Sequence, residues 1–208
     1  MWRSIFLILI MVVPPVFAQD ALSIAEKSEA LYQRAGSFTT KFTQLVSTGG
    51  FFEDEQTSGI LLMEYPDRFR IETPEQVIAC DGDSIWSYSV ENKQVTIEQV
   101  DKTEDLVTPA DYLFNFRENY NIDFDTTLIL NDTKTYKLLL HSKSGEDYVQ
   151  SMELYVNGDT YAVSRVKYTD INDNIITIDF SDLELGTKID SQRFRFKTPR
   201  GIEEVRLP

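Results

Sequence analysis

The 208-residue chain is 42% hydrophobic and 12% aromatic, enough apolar material to bury a core or line a cavity and too much for a disordered polymer. Its 34 acids against 20 bases give a formal charge of −14, which repels nucleic-acid backbones and anionic headgroups; phosphate-backbone binding and electrostatic residence on a membrane are thereby excluded. A single cysteine, Cys80, cannot form an internal disulfide, so stability must come from packing.

The chain opens with Arg3, an apolar run from Ile5 to Val13, Pro14-Pro15 and then Val16-Phe17-Ala18, the layout of a secretory signal peptide. Cleavage is expected after Ala18, which makes 1–18 the signal peptide and 19–208 one mature domain that begins at Gln19 and carries a charge of −15. The apolar run is well short of the roughly 20 residues a spanning helix needs. No cysteine follows the cleavage point, so the mature chain is not expected to be a lipoprotein, and no later apolar run is long enough for stable membrane insertion. A monomer free to move in its compartment is expected.

Residues 20–36 are good helix formers, with Leu22, Ala25 and Leu31 sharing a face and Gly36 placed as a helix stop. The period then changes to two, which predicts strands over 37–46, 59–65, 69–73, 76–80, 84–88 and 94–99, broken by turns such as Tyr65-Pro66-Asp67, Thr73-Pro74-Glu75 and Asp81-Gly82-Asp83. A helical interruption follows, because Thr108-Pro109-Ala110-Asp111 supplies an N-cap, a first-turn proline and an early acid ahead of Tyr112, Leu113 and Phe114. Strands resume over 136–141, 148–156, 162–168, 175–180 and 193–197. The sum is a long antiparallel sheet with a few helices covering one face.

Between Ile60 and Met63 both strand faces carry large apolar groups, and Phe69 and Ile71 continue that content beyond the proline turn. Leu, Met, Phe and Tyr together suit an adaptable pocket as well as a rigid core, and periodicity leaves both open. A register change of one residue would exchange the inward set for its neighbours.

No signature of catalysis accompanies this pattern. The one histidine, His141, closes a strand without a nucleophile motif, and with Cys80 it falls short of a zinc ligand set. Asp170-Ile171-Asn172-Asp173-Asn174 begins like a calcium loop but has Ile175 where glycine is required and Ser181 where a bidentate glutamate belongs, so a hairpin turn is expected. Glycine-rich phosphate loops are missing as well. No catalytic residue, metal or cofactor is expected, and directionality would have to come from partners.

Four stretches, in order, resemble the periplasmic outer-membrane lipoprotein carrier family (LolA-like). Ser37-Phe38-Thr39-Thr40-Lys41-Phe42-Thr43-Gln44 is similar to its Ser-Phe-x-x-x-Phe-x-Gln opening, and the segment from Gly59 through Tyr65-Pro66-Asp67-Arg68-Phe69-Arg70 to its Gly-x-Leu and Pro-x-x-Phe elements. Asp81-Gly82-Asp83-Ser84-Ile85-Trp86-Ser87-Tyr88 resembles its Asp-Gly turn into Trp-x-Tyr, and Phe194-Arg195-Phe196-Lys197-Thr198-Pro199-Arg200-Gly201 its terminal Phe-x-Phe-x-x-Pro-x-Gly. The resemblance implies an incomplete antiparallel β barrel, a half-barrel, with a helical lid over an apolar cavity. On it, Leu61, Met63, Phe69 and Ile71 would bind acyl chains, and Tyr112, Leu113 and Phe114 would give the lid its apolar face.

The resemblance further implies a non-enzymatic periplasmic carrier of outer-membrane lipoproteins, loaded by an inner-membrane ABC transporter complex and unloaded at an outer-membrane acceptor lipoprotein. A lipid- or lipoprotein-binding sensor or carrier for another amphiphile, in the same shell, is the alternative. The family pattern places an arginine before the proline of Pro-x-x-Phe, whereas this chain has Tyr65, so Tyr65 is expected to make the lid contact with one hydroxyl in place of a guanidinium.

Overall fold

The computed structural model describes residues 20–49, 53–100, 108–144, 149–170 and 172–207; the expected signal peptide lies outside the described residues. Helix α1 (Ala21–Ala35) starts where the extended Asp20 accepts a hydrogen bond from the Leu22 N–H at 3.1 Å. It stops at Gly36, whose φ of 71° favours glycine and whose N–H donates to the Tyr32 carbonyl at 3.0 Å. The buried stripe is Ile24, Ala25, Ser28, Glu29 and Tyr32; of the expected face Ala25 lies in it, Leu31 is half-buried and Leu22 is 54% exposed. A charged Glu29 inside the stripe disguised the true face.

Among the described residues twelve strands form one sheet: β1 (Ser37–Ser47), β2 (Glu55–Glu64), β3 (Arg68–Glu72), β4 (Gln76–Cys80), β5 (Ser84–Ser89), β6 (Gln94–Gln99), β7 (Tyr120–Leu130), β8 (Thr133–Ser142), β9 (Ser151–Asn157), β10 (Val163–Thr169), β11 (Ile175–Leu185) and β12 (Glu203–Arg206). Their order is β12-β6-β5-β4-β3-β2-β1-β11-β10-β9-β8-β7, so the sheet is open, with β12 and β7 at its edges. Every pairing is antiparallel except β12 with β6, which is parallel. Two short helices, α2 (Pro109–Leu113) and α3 (Phe116–Asn119), join β6 to β7. Among the described residues no helix is long and apolar enough to cross a membrane.

One sheet face packs on α1 and α2. Directly paired residues share a face, so the pairs Phe38↔Met63, Met63↔Phe69 and Phe69↔Cys80 run inward together, as do Leu61↔Ile71 and Ile71↔Ile78. These belong to one buried cluster that also takes in Leu138, Leu140 and Leu154 from the far half of the sheet, which therefore wraps around its helices. Gly59 on β2 lets its neighbours approach closely, because a Cβ there would collide with the Glu72 carbonyl oxygen and lie 2.8 Å from the Phe42 ring.

The segment 190–197 lies on the other face. Residues 193–197 were expected as a strand; instead Ser191–Phe194 forms a 3₁₀ turn capped by Asp190. Phe194 is fully buried, and the Phe196 ring stacks on Tyr88 at 5.0 Å. Arg70 donates to the Arg193 carbonyl at 3.1 Å and Arg195 to Asp81 at 2.9 Å, so this segment straps β3 and β4. It explains why the Ile60 to Met63 strand is greasy on both sides: Leu62 is buried too, on the face opposite Leu61 and Met63.

Candidate ligand cavity and its cover

A cavity of about 630 Å³ lies between the inner face of the sheet and α2, a volume typical of ligand sites. Its floor is apolar, with Phe42 on β1, Leu61 on β2, Ile71 on β3, Ile78 on β4, and Ile178 and Phe180 on β11. Period-two geometry aims these groups inward together, since Phe42 pairs with Phe180 and Gln44 with Ile178. Nearer the mouth the lining turns polar, with the cross-strand pair Gln44 and Thr57, and the rim carries the exposed Glu55, Glu75 and Glu91. Among the described residues that line it, none is a lysine or arginine.

Leu61 and Ile71, two of the four expected acyl-chain contacts, line this cavity. The other two, Met63 and Phe69, share their face but do not line the cavity, being buried in the core cluster. Phe42, Ile78, Ile178 and Phe180 were not singled out from the sequence, because alternation ranks no inward residue above another. A second cleft of about 340 Å³, with Leu31, Leu113 and Leu183 among its walls, lies on the other side of Phe180, which borders both spaces.

The cover is α2, and its start is local chemistry. The Asp111 carboxylate accepts from the Thr108 N–H at 2.7 Å and from the Thr108 hydroxyl at 2.8 Å, with Pro109 at the first turn. Three consecutive side chains then take different directions. Tyr112 reaches the large cavity, its ring centroid 6.2 Å from that of Phe180, and Leu113 enters the smaller cleft. Phe114 meets Tyr32, Phe38 and Tyr65 edge-on at 5.8, 6.0 and 5.6 Å. Tyr65 thus touches the cover through its ring.

A polar tie holds the following turn. The buried Glu29 carboxylate on α1 accepts from the Arg117 N–H at 3.0 Å and from its guanidinium at 2.5 Å, while Glu26 takes a second guanidinium nitrogen at 3.2 Å. Lys143 adds hydrogen bonds to the carbonyls of Arg117 and Glu118, at 2.8 and 3.1 Å. Glu29 and Arg117 are 88 positions apart, and nothing local in sequence marks them as partners. Burial pushes the Tyr112 phenol far above its ordinary range, with the Tyr168 phenol and Asp111 adding to the effect, so it is a neutral hydroxyl at any physiological pH.

Comparison with known proteins agrees with this geometry. A model of the outer membrane lipoprotein carrier protein LolA family matches residues 33–197. The outer-membrane lipoprotein carrier protein of Chromohalobacter salexigens is 28% identical, over 92% of this chain and 91% of its own length. That of Legionella pneumophila (strain Paris) is 27% identical over 98% of this chain and 99% of its own. Among solved structures, an uncharacterized conserved protein from Thermus thermophilus superposes with a TM-score of 0.61 at 14% identity, covering 91% of this chain and all of that one. The Mycobacterium tuberculosis lipoprotein LppX gives 0.50 at 9% identity, over 82% of this chain and 98% of its own, a likeness of fold alone. The chain belongs to the outer membrane lipoprotein carrier protein LolA family.

Proposed function

We propose that this protein is a periplasmic carrier that takes lipoproteins released from the inner membrane, hides their acyl chains beneath α2 and delivers them to the outer membrane. The observation that carries the reading is the apolar-floored cavity of about 630 Å³ under a short, separately tied cover, in a chain of this family. An acyl methylene exposed to water costs about 0.8 kcal/mol, so chains of ordinary length would cost tens of kcal/mol to move unaided. A cavity that receives them lowers that barrier without chemistry, and the carrier works without a catalytic residue.

Release must remain possible. Tyr112 packs on Phe180, a surface a client's chains would use, so the cover competes with the client and moderates its affinity. Loading by an inner-membrane ABC transporter and unloading to an outer-membrane acceptor would give the cycle its direction, and export by the segment 1–18 would place it in the periplasm. The strongly acidic surface suits brief docking on basic partner patches.

Spheroplasts incubated with the mature protein test this. Wild type should bring lipoproteins into the supernatant as a soluble one-to-one complex. Ile71→Glu, which sets a carboxylate on the cavity floor, should lose at least about tenfold of that release while its urea midpoint stays near wild type, since Ile71 is only half-buried. Undiminished release by Ile71→Glu would contradict the proposed site.

A further inference from the structure

Above the apolar floor the cavity carries a buried hydroxyl that a purely greasy container would not need. Tyr112 is 6% exposed, it lines the cavity, and among the described residues no hydrogen-bond partner meets its hydroxyl. Its ring already makes the apolar contact, with Phe180 at 6.2 Å, and a phenylalanine would make that contact equally well. The oxygen is therefore surplus to packing.

Filling the cavity sharpens the point. Hydrocarbon has no acceptor, so an alkyl chain that displaces water from this space would strand the hydroxyl against methylenes, and a stranded hydroxyl opposes binding. Lipid chains attached through esters or amides bring a carbonyl oxygen at the head of each chain, and a neutral phenol is a donor to such an oxygen. The setting has the matching order of polarity. Phe180 pairs with Phe42 on the apolar floor, Gln44 and Thr57 pair two residues nearer the mouth, and Val46 pairs with Glu55 at the rim. Tyr168, which acts electrostatically on the Tyr112 phenol, pairs with Ile176, itself opposite Val46. Tyr112, in contact with Phe180, thus shares the cavity lining with Tyr168.

We propose that the Tyr112 hydroxyl, with Gln44 and Thr57 of the same lining, recognises the carbonyl of the ester or amide that attaches an acyl chain to its client, so that the cavity selects acylated amphiphiles over alkyl ones of equal length. The inference rests on the carrier reading and narrows its ligand from hydrocarbon in general to carbonyl-linked chains. Tyr112 sets specificity and, as part of the cover, reports that a chain is seated with its linkage at the collar and its tail on the floor.

The test uses two synthetic lipopeptides with the same peptide and chain length, one with ester-linked diacylglyceryl chains and one with ether-linked dialkyl chains, each displacing a bound apolar fluorophore from the mature protein. Wild type should bind the ester probe about three- to tenfold more tightly, the worth of one hydrogen bond. Tyr112→Phe should bind the two probes alike, with affinity for the ether probe no weaker than in wild type, which a merely structural role for Tyr112 would not produce. Equal binding of the two probes by wild type, or a preference that survives in Tyr112→Phe, overturns the proposal while leaving the carrier reading standing. Failure of both probes to displace the fluorophore overturns both.

Discussion

Ile71 and Phe69 share a strand and a face but have different surroundings, and exposure separates them. Phe69 is packed solidly against Met63 and Cys80, its cross-strand partners, so Phe69→Glu should destabilise the fold by several kcal/mol through burial of an unpaired charge, seen as a lower urea midpoint. Ile71 faces the cavity, and the same change there should spare the fold and remove binding. Cys80 reports the tightness of this core. Burial pushes its thiol from an ordinary 9.0 to about 11, with Asp67, Asp81 and Asp83 adding to the rise and the Gly82 N–H opposing it. The native protein should therefore resist iodoacetamide at pH 8, where the urea-unfolded chain is alkylated normally. Because the folded value is the higher one, Cys80 leaves stability unaffected below pH 9 and lowers it, by up to about 3 kcal/mol, as pH rises toward 11.

The inserted segment has two kinds of attachment, and this division suggests how it moves. α2 is held by rings and aliphatic contacts, which a client's chains can replace in kind; α3 is held by the Glu29–Arg117 pair and by Lys143, which hydrocarbon cannot replace. α2 should therefore lift while α3 stays tied. Arg117→Ala, which leaves the buried Glu29 carboxylate short of partners, should cost about 1–3 kcal/mol, lessened by the partial exposure of Arg117, and should raise uptake of an apolar dye. Tyr65→Ala should cost about 0.5–1.5 kcal/mol for one edge-on ring contact and also raise dye uptake. The start of α2 was legible in the sequence because Thr108, Pro109 and Asp111 act locally. β7 went unpredicted, although Tyr120, Ile122 and Phe124 alternate, because a bulge between Phe124 and Thr126 reverses the parity halfway along. The strap at 193–197 was misread because an extended segment lying on a sheet and a strand within one show the same alternation of Phe194 and Phe196.

Across the molecule, one open sheet supplies two apolar faces with different fates. The strap closes one with Phe194, and the other packs on α1 and α2 and lines the cavity. Sequence showed that both faces were greasy, and the inward set Leu61, Met63, Phe69 and Ile71 does share a face. It could not show which of the four meet open space, because that depends on how Tyr112 and Phe180, 68 positions apart in the chain, approach across the interior. The polarity order, from apolar floor through Gln44 and Thr57 to an acidic rim, would orient an amphiphile tail-first and repel anionic headgroups, so anionic phospholipid vesicles should be poor donors of their own lipids, most of all at low salt. The most direct measurement is photocrosslinking with a lipopeptide that carries a diazirine midway along one acyl chain, followed by mapping of the labelled residues. Label should concentrate on Phe42, Leu61, Ile71 and Phe180 if the acyl chain lies on the cavity floor. Label spread over exposed apolar residues such as Leu22 and Ile129, with the cavity floor unmarked, would show that it does not.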